Sequence, residues 1–182
     1  SVDMPGHGRS DMLDAVNTMD FMASSVAKLL EYLGLKKAFV TGHSLGGYIT
    51  LAFAELYPDM LTGYCLFHSQ PLADDPGKIE NRNEQISLVR TGKKEQFIPG
   101  TITKLYASAN LQKFSGALQH SIQIAMNVPD ETIISVLKGM IARPSRVSVM
   151  ESGRVPLPWI LGVYDNLINC KTAQTTVTPP KN

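Results

Sequence analysis

Ser44 stands in the segment Phe39-Val40-Thr41-Gly42-His43-Ser44-Leu45-Gly46-Gly47, which reads as a strand, a one-residue corner and a helix. A serine at such a corner is poised for nucleophilic attack on a carbonyl. The corner forces a strained backbone at Ser44, so the neighbouring side chains must be small, and Gly42 and Gly46 supply that space. Gly47 lets the helix begin close to the sheet. The helix N-terminus then presents backbone N–H groups and a partial positive charge to an oxyanion forming beside the hydroxyl. A serine of this kind works with a base and an acid. Asp165 follows an apolar strand-like run, Val155-Pro156-Leu157-Pro158-Trp159-Ile160-Leu161-Gly162, and so occupies the edge of a sheet where ligands bind in open α/β folds. The histidines are His7, His43, His68 and His120, and none follows Asp165.

The elements that must position these groups follow from periodicity. Between Asn17 and Leu33 the residues Met19, Met22, Val26, Leu29, Leu30 and Leu33 recur at helical spacing, and Gly34 is a natural stop. Lys37-Ala38-Phe39-Val40 is a short apolar run suited to a buried parallel strand. Tyr48, Ile49, Leu51, Ala52, Phe53, Leu56 and Tyr57 form an almost wholly apolar helix halted by Pro58. Gly63-Tyr64-Cys65-Leu66-Phe67-His68 is the next strand. This alternation predicts a parallel, doubly wound sheet with right-handed crossovers and helices on its faces.

From Pro71 to about Pro144 the pattern changes to helix after helix. Asp75-Pro76 begins one, with Asp as cap and Pro in the first turn; Ile79, Ile86 and Val89 run along it to Gly92. Others are predicted over 111–126 and 129–142. Helices inserted between consecutive strands predict a lid over the sheet's C-terminal edge. The expected division is therefore sheet domain over 1–70, helical cap over 71–144, sheet domain again over 145–169, and a disordered tail over 170–182, where Thr, Pro, Lys and Gln replace any hydrophobic period.

A length of 182 residues suffices for one sizeable core. A net charge of +1 gives no reason to expect nucleic acid or an anionic membrane as partner. No run approaches the roughly 20 apolar residues of a membrane span. Two cysteines, Cys65 and Cys170, match no metal spacing and no disulfide framework, so neither metal nor cofactor is expected. No signal peptide is visible, and a cytoplasmic location is the expectation.

Three ordered motifs resemble the α/β-hydrolase family over about residues 1–168. Asp3-Met4-Pro5-Gly6-His7-Gly8-Arg9-Ser10 resembles its D-x-P-G-x-G-x-S loop. Gly42-His43-Ser44-Leu45-Gly46-Gly47 resembles its nucleophile elbow, and Trp159 to Asp165 its acid-bearing strand. The helical insertion resembles the cap of its esterases and lipases. The resemblance implies that Ser44 is the nucleophile of a serine hydrolase acting on a small or medium ester or a related acyl compound, and that Asp165 is the acid supporting a histidine. It implies that the Leu45 N–H is one oxyanion donor, with a second donor on a segment preceding residue 1. His43 is expected to pack behind the elbow or line the pocket. His68, at the end of the strand beside the elbow strand, is expected as a pocket wall and is the candidate to replace a missing base. His7 is expected to make a structural hydrogen bond in its loop, and His120 to sit exposed on a cap helix.

The family's base lies some tens of residues after its acid, yet only 17 residues follow Asp165. The chain is thus expected to be the middle of a hydrolase with both ends cut away, hydrolysing esters near background. The alternative from another class is a non-catalytic, degenerate hydrolase-fold protein with at most a binding role.

Overall fold

The computed structural model describes residues 1–178, except for the side chain of Gln174. It contains α1 (Met19–Tyr32), β1 (Ala38–His43), α2 (Leu45–Leu56), β2 (Leu61–Phe67), α3 (Pro76–Arg90), α4 (Ile98–Thr103), α5 (Ser115–Met126), α6 (Asp130–Ala142), α7 (Val147–Glu151), β3 (Trp159–Ile160) and α8 (Cys170–Thr176). Two compact units result. Among the described residues, one holds 18–73, 142–163 and 168–178; the other holds 1–17, 74–141 and 164–167.

The first unit is built on a parallel sheet in the order β1-β2-β3. Thr18 caps α1 by accepting a hydrogen bond from the Phe21 N–H, and Gly34, at φ +68°, ends it in the left-handed turn foreseen for a glycine there. Met19, Met22, Ala23 and Ala27 of α1 are buried with Leu51, Ala52 and Phe53 of α2 and with Leu61, Tyr64 and Leu66 of β2. Each large apolar side chain so buried contributes about 1.5–3 kcal/mol before ordering costs. Cys65 is a buried free thiol within this core.

Two strands differ from their expected form. β1 is not fully buried: Phe39 is 52 % exposed, and Thr41 and His43 are exposed as well. Among the described residues it pairs only with β2, so one of its edges has no ladder partner. β3 shrinks from the expected eight residues to Trp159–Ile160. Pro156 and Pro158 have no N–H to donate, so the ladder there is one-sided: their carbonyls accept from Tyr64 N–H at 3.0 Å and Leu66 N–H at 3.1 Å.

The second unit is helical. Asp75 caps α3 by accepting from the Lys78 N–H at 2.9 Å, with Pro76 in the first turn. The backbone N–H at the cap holds the Asp75 carboxyl below its usual range. Periodicity did not foresee α4, a six-residue helix opening Ile98-Pro99. Residues 1–17, grouped with the sheet in the sequence reading, pack here with the helices. Thr132 Oγ1 donates to the Gly6 carbonyl at 2.9 Å, and the Asn17 N–H donates to Ser135 Oγ at 2.7 Å.

The tail needs correction at its start. Residues 170–176 form α8, because Asn169 caps the helix by accepting from the Thr172 N–H at 3.0 Å and Ala173 is buried. The disorder expected at 179–182 concerns residues outside those described. Among the described residues no helix is long and apolar enough to cross a membrane.

Candidate functional site

β1 runs directly into α2 through Ser44, whose φ of +51° and ψ of −114° lie in a region L-residues rarely occupy. Such a conformation costs on the order of 1–3 kcal/mol. The corner is pinned from both sides: the Ser44 N–H donates to the Phe67 carbonyl at 3.0 Å, and the Ser44 carbonyl accepts from the Gly47 N–H at 2.9 Å. The Ser44 side chain does not cap α2. Its hydroxyl is therefore not consumed by the helix that follows it.

The glycines do different work from one another. A Cβ on Gly42 would collide with the Gly46 carbonyl and with Thr50 Oγ1. A Cβ on Gly47 would collide with the side chain of Ser69. By contrast, a Cβ on Gly46 would meet nothing within 4 Å. The space reserved for the corner is thus at Gly42 and Gly47, and the expectation that Gly46 supplies it by lacking a side chain is corrected. What matters at Gly46 is its carbonyl, which Gly42 must clear.

His43, Ser44, Leu45 and His68 all belong to the sheet unit. His43 packs its ring against Phe67, centroids 5.4 Å apart, and lies edge-on to His68 at 6.1 Å. His68 also meets Phe67 edge-on at 4.7 Å. Like Ser44, His68 is a non-glycine residue at positive φ, here +46°, and these two are the only ones among the described residues. Strain of this kind collects at functional sites because the surroundings must over-determine it. Around His68 they do: its N–H donates to the Ile160 carbonyl at 2.9 Å, and a Cβ on Gly162 would press on its ring at 2.7 Å.

Asp165 lies in the other unit, in the segment 164–167. Its Oδ1 accepts from the Leu167 N–H at 2.8 Å, which closes a tight turn. The adjacent Asn166 ties that turn to the helices, donating from Nδ2 to the Lys104 carbonyl at 3.2 Å and the Tyr106 carbonyl at 3.0 Å. Nothing in the sequence marked Asn166, since its acceptors are main-chain atoms about 60 residues away. His7 Nδ1 lies 3.2 Å from the Pro5 carbonyl, the structural contact expected of it, and His120 is exposed on α5. Asp3 organises the same loop by accepting from the Arg9 N–H at 3.1 Å, while Ser10 Oγ donates to the Asp3 carbonyl at 2.8 Å. Among the described residues no group of three His, Cys, Asp or Glu stands close enough to hold a metal ion.

Comparison with known proteins agrees with this architecture. The pattern of the alpha/beta hydrolase fold matches residues 1–95. The chain is 26% identical over 149 residues to a 2-hydroxy-6-oxononadienedioate/2-hydroxy-6-oxononatrienedioate hydrolase of Paraburkholderia phymatum, covering 78% of this chain and 45% of that one. It is 40% identical over 57 residues to a bifunctional esterase/perhydrolase of Acinetobacter calcoaceticus, covering 31% and 21%. It therefore spans less than half the length of these curated relatives. Among solved structures, a thermophilic esterase from Thermogutta terrifontis superposes with a TM-score of 0.87 at 25% identity, covering 98% of this chain and 67% of that one. An enol-lactonase from Burkholderia xenovorans superposes at 0.78 with 15% identity, a likeness of fold alone, covering 94% and 75%. With its strand-to-helix serine corner, its parallel sheet and this family match, the chain belongs to the α/β-hydrolase fold family.

Proposed function

We propose that this chain carries the nucleophile of a serine hydrolase acting on a small ester or related acyl substrate. The observation that supports this most is the strained Ser44, held at the N-terminus of α2 with its hydroxyl unused as a cap. In the reaction, Ser44 Oγ forms a bond to the acyl carbon as the carbonyl π electrons move onto oxygen, beside the Leu45 N–H. Collapse breaks the carbon–alkoxy bond, and the proton from Ser44 leaves with the alcohol by way of a base. Water then attacks the acyl-enzyme, the acid departs, and a proton returns to Ser44. Asp165 is the proposed acid that orients the base. Within these 182 residues the proposed candidate for that base is His68, at the end of the strand paired with the elbow strand.

The second reading is a non-catalytic hydrolase-fold protein with a binding role. Reaction with an alkyl fluorophosphonate and hydrolysis of p-nitrophenyl acetate separate the two. If Ser44 is the nucleophile, it should be phosphonylated, and p-nitrophenyl acetate turnover should fall by at least about 10²-fold in Ser44→Ala. Rates that Ser44→Ala leaves unchanged would select the binding role. His68→Ala should cost about 10²–10⁴-fold if His68 is the base, and nothing comparable otherwise.

A further inference from the structure

Ser69 is wholly buried, two residues past the end of β2 at Phe67, and nothing in the elbow motif refers to it. Its Oγ donates to the Ser44 carbonyl at 2.8 Å. Its own carbonyl accepts from Trp159 Nε1 at 2.9 Å. Gly47 leaves the room for its side chain, since a Cβ there would overlap both Ser69 Cβ and Oγ. The Ser44 carbonyl thus has both lone pairs occupied, one by the Gly47 N–H in the first turn of α2 and one by Ser69.

That carbonyl and the Leu45 N–H belong to one peptide unit. The unit is planar, and in the trans form its C=O and N–H point in opposite directions. Whatever fixes the carbonyl direction therefore fixes the direction of the N–H. A donor on the oxygen also withdraws charge through the amide and makes the N–H a stronger donor in turn. Because the benefit of an oxyanion donor depends on its being aimed before charge develops, holding the far end of the peptide is a direct way to aim it.

We infer that Ser69 is a positioning residue for the reaction, aiming and polarising the Leu45 N–H through the Ser44 carbonyl, and that Trp159 holds Ser69 in place for it. This rests on the serine-hydrolase reading, but part of its test does not. The simpler role for Ser69 is that of a buried hydroxyl satisfying its own hydrogen bond, with no consequence at Leu45.

Ser69→Ala keeps the volume and removes the hydroxyl; Trp159→Phe keeps the hydroxyl and removes the support behind it. In Ser69→Ala the Leu45 amide proton should move upfield more than any amide outside residues 44–47 and 68–70. Phosphonylation of Ser44 by an alkyl fluorophosphonate should slow by roughly 10–100-fold, below the ~10²–10³-fold of losing a donor outright. On p-nitrophenyl acetate kcat should fall while KM stays within about a factor of two, the mark of an interaction made in the transition state. Trp159→Phe should show the same pattern at smaller amplitude. A Leu45 amide that stays in place in Ser69→Ala overturns the inference, as does a loss shared equally by KM and melting temperature with kcat unchanged. Turnover insensitive to Ser44→Ala would instead defeat the hydrolase reading, while the Leu45 shift still reports whether Ser69 controls that peptide.

Discussion

Gly42 faces the main-chain carbonyl of Gly46 so closely that a single added methyl group would overlap it, yet the reverse substitution meets open space. The two glycines of the motif are therefore not equivalent. Gly42→Ala must displace the first turn of α2 and should cost about 3 kcal/mol or more, because backbone cannot yield as a side chain can. Gly46→Ala should be neutral, or stabilise by up to about 0.5–1 kcal/mol through helix propensity. Urea denaturation of the two variants checks this. Equal losses would contradict the asymmetry.

A buried arginine outside the elbow holds three parts of the sheet unit together. Arg146, whose side chain is 3 % exposed, pairs its guanidinium with Asp20 of α1 and with Glu55 of α2, the latter at 2.8 Å, and its N–H donates to the Pro71 carbonyl at 2.8 Å. Both carboxylates are about half exposed, so each can rehydrate when the arginine is removed. Arg146→Ala should accordingly cost about 2–3 kcal/mol, less than the ~3–5 kcal/mol of stranding a fully buried charge. Asp20→Asn and Glu55→Gln should each cost about 1–2 kcal/mol. A double-mutant cycle between Arg146 and Glu55 that shows no coupling would refute the pairing.

Alkaline pH should destabilise the sheet unit through Tyr64. Its side chain is buried in β2, and burial pushes its pKa from the usual 10.0 up to about 12. The phenolate is the disfavoured form in the folded chain, so the unfolded chain releases this proton first. Stability from this group is intact below about pH 10 and is lost as pH rises towards 12, roughly 2–3 kcal/mol in all. Denaturation midpoints measured across that window should fall in wild type and fall less in Tyr64→Phe.

The strain at Ser44 should appear as stability when it is relieved. Ser44→Gly places at φ +51° the one residue that tolerates it, and should raise stability by about 1 kcal/mol while abolishing turnover. Thermal melts of Ser44→Gly and Ser44→Ala check this. Only the glycine variant should gain appreciably, because alanine keeps the Cβ that conflicts with the backbone.

How the elements are punctuated was written locally. Asp75-Pro76 opens α3 and Gly34 closes α1 because caps and stops act within one turn of chain, and the corner at Ser44 is spelled out in six consecutive residues. The parallel sheet, with β2 beside β1, followed from the same local reading, since alternating strands and helices leave few ways to build one. Other features were not legible. The length of β3 depended on which sides of Pro156 and Pro158 meet β2, and the exposure of Phe39 on what covers β1. The sequence displays Ser69, Trp159, Arg146 and Asn166 as ordinary polar or aromatic residues. Each matters through a partner between 25 and 126 positions away. A helix cap or a glycine turn is decided by the backbone geometry of adjacent residues, which sequence records directly. A hydrogen bond across the core is decided by which surfaces pack, and only the folded chain brings the Ser69 hydroxyl to the carbonyl of Ser44.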